Sequence, residues 1–300
     1  MSAPPTPPLI DKPAQSGHLA PNRGTEEAVI FLHLPKTAGT TVNRLIEWEY
    51  PLKEMYSVDP VLFEWSAAHL RKLPPKRLRK IRMFKGHMTY GLHEVLPQPA
   101  TYITVLRDPV DRVISAFYFM RSYKLHPLYW KMRRGKWSLE DFVRNAQRDN
   151  VQSKIVAGAV YEEPCTREIM ETAKDNLRNH FSVVGLSARL EESLALMKLR
   201  FGWKLSSYSS FNVTRSRPKK RDLPPATLDF IHQKNAFDIE LYQCAEEIFE
   251  SAVRANADEV KRIAAELEAA RSRSQGSLGA MLFNARSAAR KAVNRVYSAV

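Results

Sequence analysis

Apolar residues along the chain fall into short unbroken runs and helical stripes. AVIFLHL (28–34) is one such run, rich in strand formers, the pattern of a strand covered on both faces. TTVNRLIEWEY (40–50) then takes helical spacing, giving strand, loop and helix. A second unit lies at TYITVLRDPVDRVISAFYFMR. There TYITVL (101–106) alternates and ends apolar, Arg107-Asp108-Pro109 turns the chain, and VDRVISAFYFMR has helical period. Proline beside the turn fits a helix start, where its missing N–H costs nothing. FSVVGLS (181–187) predicts a third strand, followed by a helix through RLEESLALMKLRFGW. Strands alternating with helices predict an α/β fold with a P-loop-like, largely parallel sheet flanked by helices.

The ends have another character. Residues 1–25 are rich in proline and polar residues and read as a disordered tail. Residues 26–250 read as the folded domain and 251–300 as a helical C-terminal extension, with 245–270 forming one long helix or two. The last segment, 280–300, carries Arg286, Arg290, Lys291 and Arg295 and no acidic residue. It fits either a basic amphipathic helix for a membrane or partner surface, or a packed or solvated terminal helix.

Composition narrows the partners. A formal net charge of +14 favours anionic ones, among them nucleotides, charged sugars and anionic membranes. Cys165 and Cys244 are too few for a disulfide framework and lack zinc-site spacing. No apolar run approaches the roughly 20 residues of a membrane span, and the start lacks a signal-peptide pattern. The expectation is a cytoplasmic protein. With no RNP-type motif or zinc pattern, nucleic acid is not an expected partner.

LPKTAGTT (34–41) carries the first candidate chemistry. A loop after a parallel strand lies at the carboxyl edge of the sheet, where the next helix points free N–H groups and the positive end of its dipole at a ligand. Lys36 adds charge, Gly39 suits close backbone approach, and Thr40 and Thr41 offer hydroxyls. Lys36 precedes the glycine, so the pattern is not G-x-x-x-x-G-K-[ST], and a magnesium-nucleotide loop is disfavoured. In the second unit Arg107 ends a strand and Ser115 falls in the first turns of the helix, so both can face one anionic group. Arg107 and Asp108 also fit a plain structural ion pair. Two anion sites on neighbouring strand ends suit a ligand with phosphate at both ends.

Together LPKTAGTT and VLRDPVDRVISAFYFMR resemble the two cofactor signatures of sulfotransferases that use 3′-phosphoadenosine 5′-phosphosulfate (PAPS), particularly the carbohydrate group containing heparan sulfate and uronosyl 2-O-sulfotransferases. MFKGHMTYG looks like the segment with that family's catalytic histidine, NLRNHFSVVGLSARLEESLALM like its later strand and helix, and NVTRSRPKKRDLP like a loop closing over the cofactor. The likeness covers roughly residues 28–250. It implies that Lys36, Thr37, Ala38, Gly39, Thr40 and Thr41 hold the 5′ end, that Arg107 and Ser115 hold the 3′-phosphate, and that Arg217, Lys219 and Lys220 add cations from the closing loop. His87 would be the base and Lys36 the cation at the leaving oxygen, with PAPS as co-substrate, no required metal and a hydroxyl-bearing, anionic carbohydrate as acceptor. His33 and His93 are rivals for the base. Where relatives can carry a second histidine two residues earlier, this chain has Lys85.

Two further clusters are open to two readings each. The basic run RKLPPKRLRKIR (71–82) either guides an anionic acceptor or is a solvated face. Arg133, Arg134 and Lys136, flanked by Trp130 and Trp137, either stack on sugar or belong to packing. A kinase on a similar sheet and a non-catalytic binder of polyanions or membranes are the alternative functions.

Overall fold

The computed structural model describes residues 27–274 apart from 59–68, 125, 127, 135, 146–147, 161–162, 206–217 and 219. Strands β1 (Ala28–Leu32), β2 (Met55–Val58), β3 (Met83–Gly86), β4 (Ala100–Leu106) and β5 (Phe181–Leu186) form one sheet in the order β2-β3-β1-β4-β5. Every pairing is parallel. All residues of β1, β3, β4 and β5 are buried, which is why their sequences are apolar runs: both faces of the sheet are covered.

Among the described residues the helices include α1 (Gly39–Glu49), α2 (Pro75–Leu78), α3 (Pro109–Ser122), α4 (Tyr129–Arg134), α5 (Leu139–Asn145), α6 (Val151–Ala157), α7 (Arg167–His180), α8 (Leu190–Phe201), α9 (Pro225–Lys234), α10 (Ala236–Ala255) and α11 (Ala257–Ser274). β2 and β3 have no counterpart in the sequence pattern. Each is four residues long, and β3 carries a charged Lys85, so neither shows a usable period. The stretch 245–270 resolves into two helices that meet at Asn256, whose side-chain amide donates to the Ala252 carbonyl at 2.8 Å. Val260, Ile263 and Leu267 of α11 are buried in the same apolar core as the sheet, with α11 packed on α8.

The strand order creates the crevice. From β1 the chain moves to one side, to β2 and β3, and then returns past β1 to β4 and β5. The turnabout lies between β1 and β4, and a ligand crevice opens at the carboxyl ends of strands at such a point. Thr104 donates to the Leu32 carbonyl at 2.8 Å, locking the two strands side by side there. Both sequence motifs leave the sheet at this place. Among the described residues, no helix is long and apolar enough to cross a membrane.

Candidate active site

The loop from Pro35 to Ala38 takes an unusual path. Lys36 and Ala38 have φ of 70° and 67°, a left-handed conformation costly for residues with a side chain. Local bonds hold it: Thr37 donates its hydroxyl to the Leu34 carbonyl at 2.9 Å, and the Thr41 N–H donates to the Ala38 carbonyl at 2.9 Å. Alternation into the left-handed region curls successive N–H groups around a concavity suited to an anion, and α1 begins immediately behind it. Thr37 and Thr41 are buried while Thr40 stays partly open. The Thr37 hydroxyl proton is therefore spent on shaping the loop.

Gly39 has a different reason to be glycine from the one its sequence suggests. A Cβ there would stand 1.9 Å from His33 Cδ2, so the position is closed to other residues by the His33 ring. Close approach of a ligand is not needed to explain it. His33 also stacks on His87, with ring centroids 4.1 Å apart, and its Nδ1 lies 2.9 Å from the Asn43 amide nitrogen. One buried imidazole thus forms a wall shared by the loop and by His87.

His87 follows β3 and is partly exposed. Its neighbour Gly86 has φ 143°, and a Cβ there would reach 2.2 Å from the Val58 carbonyl oxygen of β2. The rival histidines separate from it clearly. His33 is buried, and burial followed by the nearby His87, Lys85 and Lys36 charges holds it well below the ordinary 6.5. His93 is tied through Nδ1 to the Tyr102 hydroxyl at 2.9 Å, and burial pushes it down to about 4. Tyr102 pairs with Ile30 in mid-sheet, which places His93 away from the crevice. Lys85 is buried too and pairs with Glu47 of α1 at 2.8 Å, so it braces β3 against α1.

Lys36 reaches across to α3, where its ammonium lies 3.9 Å from the centre of the Phe119 ring. Phe119 is a residue that the sequence reading missed. It stands four positions after Ser115, so helical period puts both on one face of α3, and that spacing is the signal that could have found it. Arg107 donates from its guanidinium to the Lys36 carbonyl at 3.0 Å, joining the two motifs directly. Asp108 caps α3 by accepting from the Asp111 N–H at 2.9 Å and receives Lys220 Nζ at 3.2 Å. Lys220 therefore does arrive at the second motif. Tyr242 of α10 also borders this turn: burial, then Glu246, Asp108 and Asp111, push its hydroxyl up to about 12. Arg217 and Lys219 lie outside the described residues, as do the tail 1–25 and the segment 280–300.

The basic run 71–82 does not line the crevice. It precedes β3 and meets the sheet at Met83, on the amino edge, while His87 leaves from the carboxyl edge. The strand between them spans about 13 Å at a rise of roughly 3.3 Å per residue. Its apolar Leu73, Leu78 and Ile81 are buried and its cations are exposed, which is the solvated-face arrangement. In the other cluster Trp130 is exposed under the Arg134 guanidinium at 4.9 Å, whereas Trp137 packs on the apolar cluster of α3 and α5.

The model of the galactose-3-O-sulfotransferase family matches residues 3–294. The chain belongs to the galactose-3-O-sulfotransferase family. Within this family and near it, the chain is 26% identical over 305 residues to mouse galactose-3-O-sulfotransferase 3, covering 89% of this chain and 65% of that protein. It is 25% identical over 211 residues to human heparan sulfate 2-O-sulfotransferase 1, covering 63% of this chain and 58% of that one. The chain thus spans less than two thirds of the length of either relative. Among solved structures, a mouse sulfotransferase complexed with PAP is similar at a TM-score of 0.34 and 17% identity, over 61% of each chain. A likeness that weak adds nothing to the fold described above.

Proposed function

We propose that this member of the galactose-3-O-sulfotransferase family transfers a sulfonate group from PAPS to a hydroxyl of a carbohydrate. The observation that supports the reading is the bond from Arg107 to the Lys36 carbonyl, which joins the two candidate motifs at the turnabout of the sheet. A nucleotide with anionic groups at both its 5′ and 3′ positions is what such a pair fits.

The loop 35–41 and Lys36 would hold the 5′ end, and Arg107 with Ser115 the 3′-phosphate. PAPS supplies the activated sulfonate. His87 takes the proton of the acceptor hydroxyl as it attacks. Lys36 and the loop N–H groups stabilise the charge that gathers on the departing phosphate oxygen, the main electrostatic demand of a loose in-line transfer. His33 keeps the His87 ring beside the loop. Catalysis rests on placement more than on covalent participation. The names of the relatives support a carbohydrate acceptor, galactose or a uronic-acid glycan being the first to test.

A calorimetric titration with 3′-phosphoadenosine 5′-phosphate (PAP), against ATP and without magnesium, tests the cofactor. Tight binding of PAP alone, lost in Arg107→Ala, is expected. Binding of ATP in preference would overturn the reading and favour a kinase. Transfer of labelled sulfonate from PAPS to galactosides and to uronate glycans then tests the acceptor class.

A further inference from the structure

One side chain holds the Arg107 peptide at both ends. Gln152, fully buried near the start of α6, accepts from the Arg107 N–H at 3.0 Å and donates to the Arg107 carbonyl at 2.9 Å. β4 has just ended at Leu106, so a primary amide takes the place that a neighbouring strand would fill for the next residue. The placement of Gln152 is fixed in turn by α10. Asp238, fully buried, accepts from the Gln152 N–H at 3.1 Å, the Ser153 N–H at 2.7 Å and the Ser153 hydroxyl at 2.8 Å. Asn150, at φ 47°, donates its N–H to the Asn235 side chain at 3.2 Å and accepts from the Asp238 N–H at 3.0 Å. The starts of α6 and α10 therefore cap each other, and Arg112 of α3 stands 3.8 Å from the same carboxylate.

We propose that Gln152, seated by Asp238, is the positioning residue that sets Arg107 for the 3′-phosphate of the nucleotide. The proposal rests on the bisphosphate reading above. Gln152 is buried and acts only through the Arg107 peptide. Without its two bonds the Arg107 N–H and carbonyl must find other partners, and the turn that aims the guanidinium moves with them. The loss should fall on the 3′-phosphate and spare the 5′ end, which a different loop holds.

The test compares PAP with AMP, which lacks the 3′-phosphate, by calorimetry on wild type, Gln152→Ala, Gln152→Glu and Asp238→Asn, with thermal melting alongside. Gln152→Ala should weaken PAP about 10- to 100-fold, the worth of one charge-assisted hydrogen bond, with AMP affinity held within about twofold. Gln152→Glu keeps the acceptor for the Arg107 N–H and should fall between. If Gln152→Ala does not fold, Asp238→Asn, which disturbs the helix start and leaves the Gln152 side chain in place, should show the same selective loss. Parallel weakening of PAP and AMP would reduce Gln152 to a general structural residue and overturn the proposal, as would unchanged PAP binding. A wild type that binds PAP no better than AMP would instead remove the cofactor reading itself, and the proposal with it.

Discussion

The two turns proposed to hold the nucleotide stand on adjacent strands yet keep their shapes by different means. Residues 35–39 are shaped locally: strained φ at Lys36 and Ala38, the Thr37 hydroxyl on Leu34, and His33 against Gly39. The Arg107–Asp108 turn is ordinary in backbone, with Asp108 at φ −44° and ψ 124°. Its order comes from afar: Gln152 is 45 residues along the chain and Lys220 is 112 residues beyond Asp108. A locally built turn depends mainly on its own sequence, whereas one assembled from distant parts depends on the whole fold being closed. The Arg107 bond to the Lys36 carbonyl is where the two dependences meet.

The largest expected effect concerns the brace beneath the local turn. Glu47→Ala leaves Lys85 buried without its carboxylate, and breaking such a pair from one side costs about 3–5 kcal/mol. Glu47→Leu combined with Lys85→Met should recover most of it in urea unfolding. A cost under about 1 kcal/mol for the single change would show that the pair is not a brace. Next comes Lys36→Ala, expected to lower turnover about 10²- to 10³-fold, as for loss of one preorganised group at a developing charge. PAP affinity should drop less than in Arg107→Ala, because the distant-built turn stays intact. Equal drops in the two variants would mean that the turns do not act separately. Gly39→Ala follows, with overpacking against His33 worth about 1–3 kcal/mol. His33→Ala in the same chain should relieve it, and thermal melting of the pair decides whether His33 is what demands the glycine.

The same contrast governs what could be read in advance. Lys36, Gly39 and the two threonines sit in eight consecutive residues after an apolar strand, so local period and loop chemistry pointed to them directly. The α/β class was legible for the same reason, since β1, β4 and β5 are long enough to show their pattern. Gln152 and Asp238 carry no local signal as supports, because their roles exist only once α6 and α10 are packed together beside the Arg107 turn. Gly39 was legible as a required glycine but not for its reason, which is a ring six residues back in the chain. The basic run 71–82 left two readings open in the sequence because it is near His87 along the chain, whereas a parallel strand carries the chain to the far edge before the histidine appears.

The smallest effect separates the turns by pH. His33 is neutral in the folded chain because burial, then His87, Lys85 and Lys36, oppose its charging. Unfolded, it would take a proton near the ordinary 6.5. Below that pH the unfolded chain binds the proton that the folded one refuses, so the stability His33 contributes is complete above about 6.5 and is lost as pH falls. His93, pushed down to about 4, adds to the same acid limb. The difference between wild type and His33→Phe, which keeps a ring against Gly39 but cannot titrate, isolates the His33 share. Urea unfolding at pH 7.5 and pH 5 should show wild type losing more stability on acidification than the variant. Equal losses would mean that His33 charges freely in the fold, and that the wall between the loop and His87 is looser than its stacking implies. The Arg107 turn is held by the Gln152 amide and the Lys36 carbonyl, neutral groups that carry no titrating proton, so acid should act on the local turn first.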